Sequence, residues 1–370
     1  MGDLLMSAPA IRAMKETFNS SITLLTSPAA EGIAPYLPGV DEVLVWDVPW
    51  VKADSRKRRG GLPELAALLR EKKFDAGIIF TVFSQNPLPT ALLLTMAEIP
   101  NRLSYCRENP YALLTHWIPD EEPFRFIRHQ VRRDLDLVGH FGATTDNDRI
   151  LVNIPDSCEH QAMAKMARAG ANPEEPWLIL HPGVSEAKRR YEKQKWIEAG
   201  KIIQSGLGYQ LVITGIESEK ELAMEIARGI GNGACTIAGQ LSLGEYIALV
   251  RRSPLLISVN TGSVHIASAV GTRTVVLYAM TNPQHAPWKT VGKVLPFSVP
   301  AHLQSQNEIL RYVQENFFGS DTVTVTPEEI YEAARDLLKN GEEPLVPELV
   351  SAHSGTRSQR TRSTLYFHEP

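Results

Sequence analysis

Apolar residues fall along the chain in two alternating patterns: short runs rich in β-branched residues, and longer stretches spaced at the helical period. The alternation predicts strands and helices in turn. In the first half, residues 21–26 and 42–46 read as strands, 62–71 as a helix and 75–80 as a strand again. The second half is more regular. Strands at 177–181, 210–214, 235–237, 255–259 and 274–278 alternate with helices at 195–204, 220–228, 243–251 and 263–269. This order predicts an α/β fold, a doubly wound Rossmann-like sheet whose ligands lie beyond the carboxyl ends of its strands. Thr326-Pro-Glu-Glu supplies an N-cap followed by Pro in the first turn, so one more helix is expected after it.

The two series are separated by Asn153-Ile-Pro-Asp-Ser-Cys, a helix around 160–169, and Gly170-Ala-Asn-Pro-Glu-Glu-Pro. The expected layout is a Rossmann-like domain over 1–155, a linker region over 156–175, a second Rossmann-like domain over 176–325 and a helix over 326–339. Residues 340–370, with the run Ser351-Ala-His-Ser-Gly-Thr-Arg-Ser, hold too little apolar content to fold and are expected to be a disordered tail.

Composition adds exclusions. The 370 residues are 43% hydrophobic with a formal charge of −4, as in ordinary soluble globular proteins. Nucleic acid is not an expected partner, because phosphate backbones demand clustered uncompensated cations. The run Arg56-Lys57-Arg58-Arg59 is too short for that and reads as a solvated loop, with an acidic membrane or lipid headgroup as the other reading. Three widely spaced cysteines, Cys106, Cys158 and Cys235, fit neither a disulfide framework nor a zinc motif, which favours a reducing cytoplasm. No apolar run approaches the ~20 residues of a spanning helix. The N-terminus carries no basic segment of a secretory signal.

Three segments carry candidate chemistry. In Leu255-Leu-Ile-Ser-Val-Asn-Thr-Gly-Ser-Val-His265 a buried strand breaks at Asn260-Thr261-Gly262 into a helix of small residues. Free amides at such a start carry partial positive charge and suit a phosphate or diphosphate. Gly262 lets the anion approach, Thr261 and Ser263 add hydroxyls, and His265 on the first turn brings a ring nitrogen. The alternatives are that Asn260 only caps the helix and that His265 is a satisfied structural residue. The second segment, His181-Pro-Gly-Val-Ser-Glu-Ala-Lys-Arg-Arg-Tyr191, follows the first strand of the same series. It brings Ser185, Lys188 and Arg189 to the same sheet edge, where cations neutralise a departing diphosphate, unless the run is simply a solvated loop. The third, Thr214-Gly-Ile-Glu217-Ser-Glu219, offers a carboxylate to ribose hydroxyls, or two acids favoured by a helix dipole.

Other motifs fail. Gly206-Leu-Gly208 and Gly231-Asn-Gly233 precede strands instead of opening helices, so a dinucleotide fingerprint is unsupported, and no P-loop occurs. Asp134-Leu-Asp136 falls in a helical stretch where i and i+2 point apart, and is read as surface charge. The histidines show no ligand spacing, so neither metal nor other cofactor is expected.

Taken together, Gly2-Asp3-Leu4-Leu5 with Pro9, His181-Pro-Gly-Val-Ser, Lys188-Arg-Arg-Tyr191 and Asn260-Thr-Gly-Ser-Val-His-Ile-Ala-Ser-Ala-Val-Gly271 resemble the heptosyltransferase family, glycosyltransferase family 9. The resemblance spans roughly residues 1–338 in motif order. It implies a GT-B fold, two Rossmann-like domains facing across a cleft, the second holding the nucleotide sugar and the first the acceptor. It also implies inverting, metal-independent transfer of heptose from ADP-heptose to the inner core of lipopolysaccharide. Carried over by position, Asp3 matches the general base and Arg189 stands where a diphosphate-contacting Lys is usual. Thr261, Gly262 and His265 match the phosphate loop, while Glu217 or Glu219 approximates the ribose contact. Asn260 stands where Asp is common. The family's opening strand normally precedes Gly-Asp, whereas this sequence starts at Met1, so the first sheet is expected to lack that strand and Asp3 to fray.

These readings lead to an inverting glycosyltransferase acting on a lipid-linked or oligosaccharide acceptor in the cytoplasm, with peripheral contact at the inner membrane. Thr281-Asn-Pro-Gln-His-Ala-Pro-Trp288 either lines the donor pocket, with His285 or Trp288 against the sugar or base, or is an ordinary structured loop. The alternatives to transfer are a nucleotide-sugar epimerase of GT-B fold and a non-catalytic nucleotide-binding remnant.

Overall fold

The computed structural model describes residues 1–51, 60–318, 322–340 and 344–345, so the basic run at 56–59 lies outside the described residues. The first half contains α1 (Gly2–Phe18), β1 (Thr23–Thr26), β2 (Glu42–Val45), α2 (Leu62–Glu71), β3 (Ala76–Ile78), α3 (Leu88–Met96), β4 (Asn101–Cys106), β5 (His116–Pro119), α4 (Gln130–Gly139) and α5 (Ser157–Arg168). Two parallel sheets form, β1–β2 and β3–β4–β5, and they remain separate ladders. Among the described residues no strand precedes α1. Asp3 nevertheless does not fray. Leu5 N–H closes the first turn of α1 on the Met1 carbonyl at 3.1 Å, and Leu5 and Met6 are fully buried.

The second half contains β6 (Trp177–His181), α6 (Lys193–Leu207), β7 (Gln210–Ile213), α7 (Lys220–Ile230), β8 (Ala234–Thr236), α8 (Leu243–Arg252), β9 (Leu256–Val259), α9 (Gly262–Val270), β10 (Thr274–Ala279), β11 (Thr290–Phe297), α10 (Glu308–Val313), α11 (Pro327–Asn340) and β12 (Pro344–Leu345). One sheet runs β12-β11-β10-β9-β6-β7-β8, parallel except where β12 joins β11. Strands β6, β9 and β10 are buried at every position, which explains their unbroken apolar runs. The tail expectation is corrected at its start: Asn340 closes α11, and Pro344–Leu345 pairs with Thr290 and Val291. The remainder of 340–370 lies outside the described residues.

The sequence reading also missed β11, because Gly292 and Pro296 interrupt it. Both residues have a reason. A Cβ at 292 would meet the Thr274 carbonyl oxygen at 2.5 Å. Phe297 directs its carbonyl to Met280 N–H of the neighbouring strand segment, so Pro296 turns its ring nitrogen to the open side and removes no ladder bond.

The strand order fixes where the site lies. The chain winds outward through β6, β7 and β8, then returns beside β6 with β9 and winds the other way. His181 pairs with Ser258, so the loops after β6 and β9 leave the sheet side by side at its switch point. Beneath them, α8 is set by a capping box: Glu245 N–H donates to Ser242 Oγ at 3.3 Å, and Ser242 N–H donates to the Glu245 carboxylate at 2.6 Å. Ser242→Ala is therefore expected to lower the unfolding free energy by about 1 kcal/mol in chemical denaturation.

The two halves are tied by the loop before β11. Gln284 is fully buried; its Oε1 accepts Phe83 N–H at 3.2 Å and its Nε2 donates to Glu122 at 3.2 Å. Glu122 itself receives Arg133 at 2.6 Å and the Arg128 amide at 2.6 Å. His129 Nε2 lies 2.7 Å from the Ala286 carbonyl. Trp288 stacks on His129 at 4.6 Å and donates its indole N–H to the Asp148 carbonyl at 2.8 Å. Trp288 is thus a buried strut between the halves, which corrects its reading as a ligand-stacking candidate.

Candidate functional site

The site is assembled where the β6 and β9 loops meet the first turn of α1. Helix α9 begins at Gly262 after Thr261, and no side chain caps it. The Asn260 side chain goes elsewhere: its Oδ1 accepts Ala279 N–H at 3.1 Å and its Nδ2 donates to the Ala279 carbonyl at 3.4 Å. Asn260 therefore ties the end of β9 to the end of β10, which corrects the reading of it as a helix cap. The partly buried helix start has no side chain capping its positive pole.

Arg189 joins this turn from the β6 loop. Its Nη1 donates to the Asn260 carbonyl at 3.0 Å, while its Nε makes no hydrogen bond and stands 3.6 Å from the Glu186 carboxylate. Lys188 lies beside it, 3.2 Å from the same carboxylate, and borders a small cleft with Thr281 and Arg311. Two cations and an uncapped helix start thus share one edge of the sheet. The hydroxyl of Thr261 and Nδ1 of His265 are both buried without a hydrogen-bond partner. Burial holds the His265 imidazole well below its ordinary range, with His285, His129 and Arg189 adding to the effect, so it is neutral at pH 7 and available as a hydrogen-bonding group. Unsatisfied buried polar atoms of this kind call for a partner.

Asp3 faces the same space from the other half. Its carboxylate is 66% exposed and lies 3.8 Å from His285 Nε2. Burial lowers the His285 ring, opposed by Asp3 and reinforced by Arg189, so His285 senses both charges. The approach of the two helices depends on Gly2, since a Cβ there would stand 3.0 Å from His265 Cδ2. Asp3, Arg189, Thr261, Gly262, His265 and His285 therefore form one cluster drawn from both halves.

The remaining candidates divide. Ser263 is buried, and its hydroxyl acts on the Tyr246 phenol, opposing the rise in pKa that burial gives it. Tyr246 also contacts His181 at 3.3 Å, and His181 meets Thr214 at 2.9 Å. This buried floor, with His181 lowered to about 4 by burial, joins β6, β7, α8 and α9 under the anion turn. Sequence reasoning missed Tyr246 because it sits on an amphipathic helix with no motif around it. Glu219 is half-buried against Gly183, where any Cβ would strike its carboxylate, and it accepts Ile216 N–H at 2.9 Å. Burial raises its pKa, and the Ile216 hydrogen bond opposes this. Glu217 is exposed on the rim, 3.5 Å from Lys220. Ser185 is exposed on the β6 loop. Asp134 is 1% exposed and accepts a hydrogen bond from Ser7, which corrects its reading as surface charge. Among the described residues no group of three or more His, Cys, Asp and Glu is arranged to hold a metal ion.

The family model described as glycosyltransferase family 9 (heptosyltransferase) matches residues 63–308. Lipopolysaccharide heptosyltransferase 2 of Salmonella typhimurium is 21% identical over 357 residues, covering 91% of this chain and 96% of that protein. Among solved structures, the glycosyl transferase family 9 protein of Veillonella parvula superposes with a TM-score of 0.73 at 19% identity, covering 91% of this chain and 94% of that one. The E. coli ADP-heptose lps heptosyltransferase II gives 0.67 at 19% identity, covering 91% and 95%. These likenesses identify the architecture as GT-B.

Proposed function

The chain belongs to glycosyltransferase family 9, and from that premise we propose that it transfers heptose from ADP-heptose, with inversion, to the inner core of a lipopolysaccharide. The relatives it matches over most of their length are named as lipopolysaccharide heptosyltransferases. The observation that carries the reading is the convergence of Asp3 from one half with Arg189 and the uncapped α9 start from the other.

In this reading the diphosphate of the donor lies between the amides at Gly262 and Ser263 and the cations Arg189 and Lys188. Thr261 and His265 offer it their unpartnered polar atoms, and Glu219 or Glu217 accepts from the ribose. The acceptor hydroxyl gives its proton to the Asp3 carboxylate as its oxygen attacks the anomeric carbon. The bond from that carbon to the diphosphate breaks, and its electron pair leaves with the phosphate oxygen. Negative charge grows on that oxygen, where a guanidinium and a helix start stabilise it most. Holding both substrates between the halves supplies the orientational part.

The lipid portion of the acceptor draws the enzyme to the cytoplasmic face of the inner membrane as a peripheral protein. Among the described residues no helix is long and apolar enough to cross a bilayer.

The test is transfer itself: incubation with ADP-heptose and heptose-deficient lipopolysaccharide core, followed by mass spectrometry of the acceptor. Gain of one heptose per acceptor with stoichiometric ADP is expected, whereas a sugar altered without acceptor would favour the epimerase alternative. ADP alone is expected to raise the melting temperature, by the equivalent of ~2.7 kcal/mol at a hundredfold excess over Kd. An unchanged melting curve for a folded sample would contradict donor binding at this site.

A further inference from the structure

We propose that Asp134 is a positioning residue for Asp3: its buried carboxylate, linked through Ser7 to the first turn of α1, adds negative charge behind the group that receives the acceptor's proton. The inference rests on Asp3 acting as the base.

A carboxylate is rarely sealed in a protein interior without a task or a partner that compensates its charge. Asp134 on α4 is almost fully buried, and its partners are neutral. Its Oδ2 lies 2.6 Å from Ser7 Oγ, and its Oδ1 accepts Gln130 Nε2 at 2.8 Å. Ser7 Oγ also lies 3.2 Å from the backbone carbonyl of Asp3, one helical turn earlier. A hydroxyl has one proton to give. When Asp134 is ionised, Ser7 donates to it. When Asp134 is protonated, it donates to Ser7, and Ser7 is free to donate to the Asp3 carbonyl. The protonation of a buried acid on α4 is therefore coupled to the turn that carries Asp3.

The surroundings set where that proton resides. Burial pushes Asp134 up to about 7, and the negative charge of Asp3 adds to the rise; Ser7, Arg133 and Gln130 oppose it. The charged groups acting on it are Asp3 from α1 and Arg133 from its own helix. Arg133 is committed elsewhere, to Asp120 at 2.8 Å, Glu122 at 2.6 Å and the Thr81 carbonyl at 2.9 Å. Gln130 also reaches the Thr81 carbonyl, at 3.3 Å, so the segment after β3 presents a neutral group to this site. An ionised Asp134 thus adds negative potential on the Asp3 side, and that potential favours arrival of a proton at the Asp3 carboxylate.

The experiment measures kcat and KM from pH 5 to 9 with ADP-heptose and heptose-deficient core for the wild type, Asp134→Asn, Ser7→Ala and Asp3→Ala. Wild-type kcat is expected to rise through about pH 7, by up to ~10-fold. Asp134→Asn is expected to lose that rise, staying at the low-pH level with KM unchanged. Ser7→Ala removes a bond that lowers Asp134, so its rise is expected to persist but shift to higher pH. In thermal melts the folded wild type keeps a proton that the unfolded chain has lost above about pH 4. Wild-type stability should therefore fall relative to Asp134→Asn as the pH rises from there to about 7.

A folded Asp134→Asn enzyme whose pH profile superimposes on the wild type would overturn the proposal. Should that variant not fold, a Ser7→Ala profile identical to the wild type would overturn it instead. Transfer retained by Asp3→Ala is a different outcome: it removes the base assignment itself, whatever the Asp134 data show.

Discussion

Asp3→Ala is expected to reduce kcat by ~10²–10⁴-fold, the range a positioned general base contributes, while ADP still raises the melting temperature. The split follows from geometry. Asp3 belongs to the half opposite the anion turn, and its exposed carboxylate faces the His285 ring at 3.8 Å across the gap. Removing it takes nothing from the Thr261–Gly262 turn or from Arg189. Steady-state kinetics on ADP release, paired with an ADP melting series, checks both parts. Equal loss of ADP binding and turnover would mean that Asp3 supports the donor site and not the proton transfer.

Arg189→Met is expected to act on the other side of the same bond, lowering kcat by ~10²–10³-fold, as loss of a preorganised donor to developing charge does. The Arg189 Nη1 is anchored 3.0 Å from the Asn260 carbonyl, and this bond fixes the guanidinium beside the helix start before any ligand arrives. Arg189→Lys keeps the charge but loses the planar fork, so partial recovery is expected, with weaker donor binding than the wild type. The measurement is kcat and donor KM for the three proteins. Wild-type kcat in Arg189→Met would exclude the residue from leaving-group stabilisation.

Much of this arrangement is legible in the sequence because the features that build it are local. The fully buried strands β6, β9 and β10 write themselves as apolar runs, and α2 matches its expected bounds at 62–71. A strand ending in Asn-Thr-Gly before small residues announces α9, and Lys188 with Arg189 announces a cationic loop at the same edge. What stayed hidden depends on partners far away in the chain. Asn260 looks like a cap until β10 lies beside it, and Ser263 looks like a donor until Tyr246 is found underneath. Asp134 reads as one charge among several on α4, because nothing nearby in sequence announces that Ser7 will cover it. Trp288 suggests a stacking platform, yet its ring is occupied by His129. Periodicity also could not separate β11 from a loop, since the two residues that break its pattern are demanded by its neighbours.

The most direct test is a crystal structure with ADP bound. The expected result has the diphosphate oxygens within hydrogen-bonding distance of the Gly262 and Ser263 amides on one side and of Arg189 on the other, with Asp3 facing the terminal phosphate across an open space wide enough for a sugar. A diphosphate held away from that turn, or an Arg189 that stays on Glu186 and Asn260 while the nucleotide binds elsewhere, would contradict it.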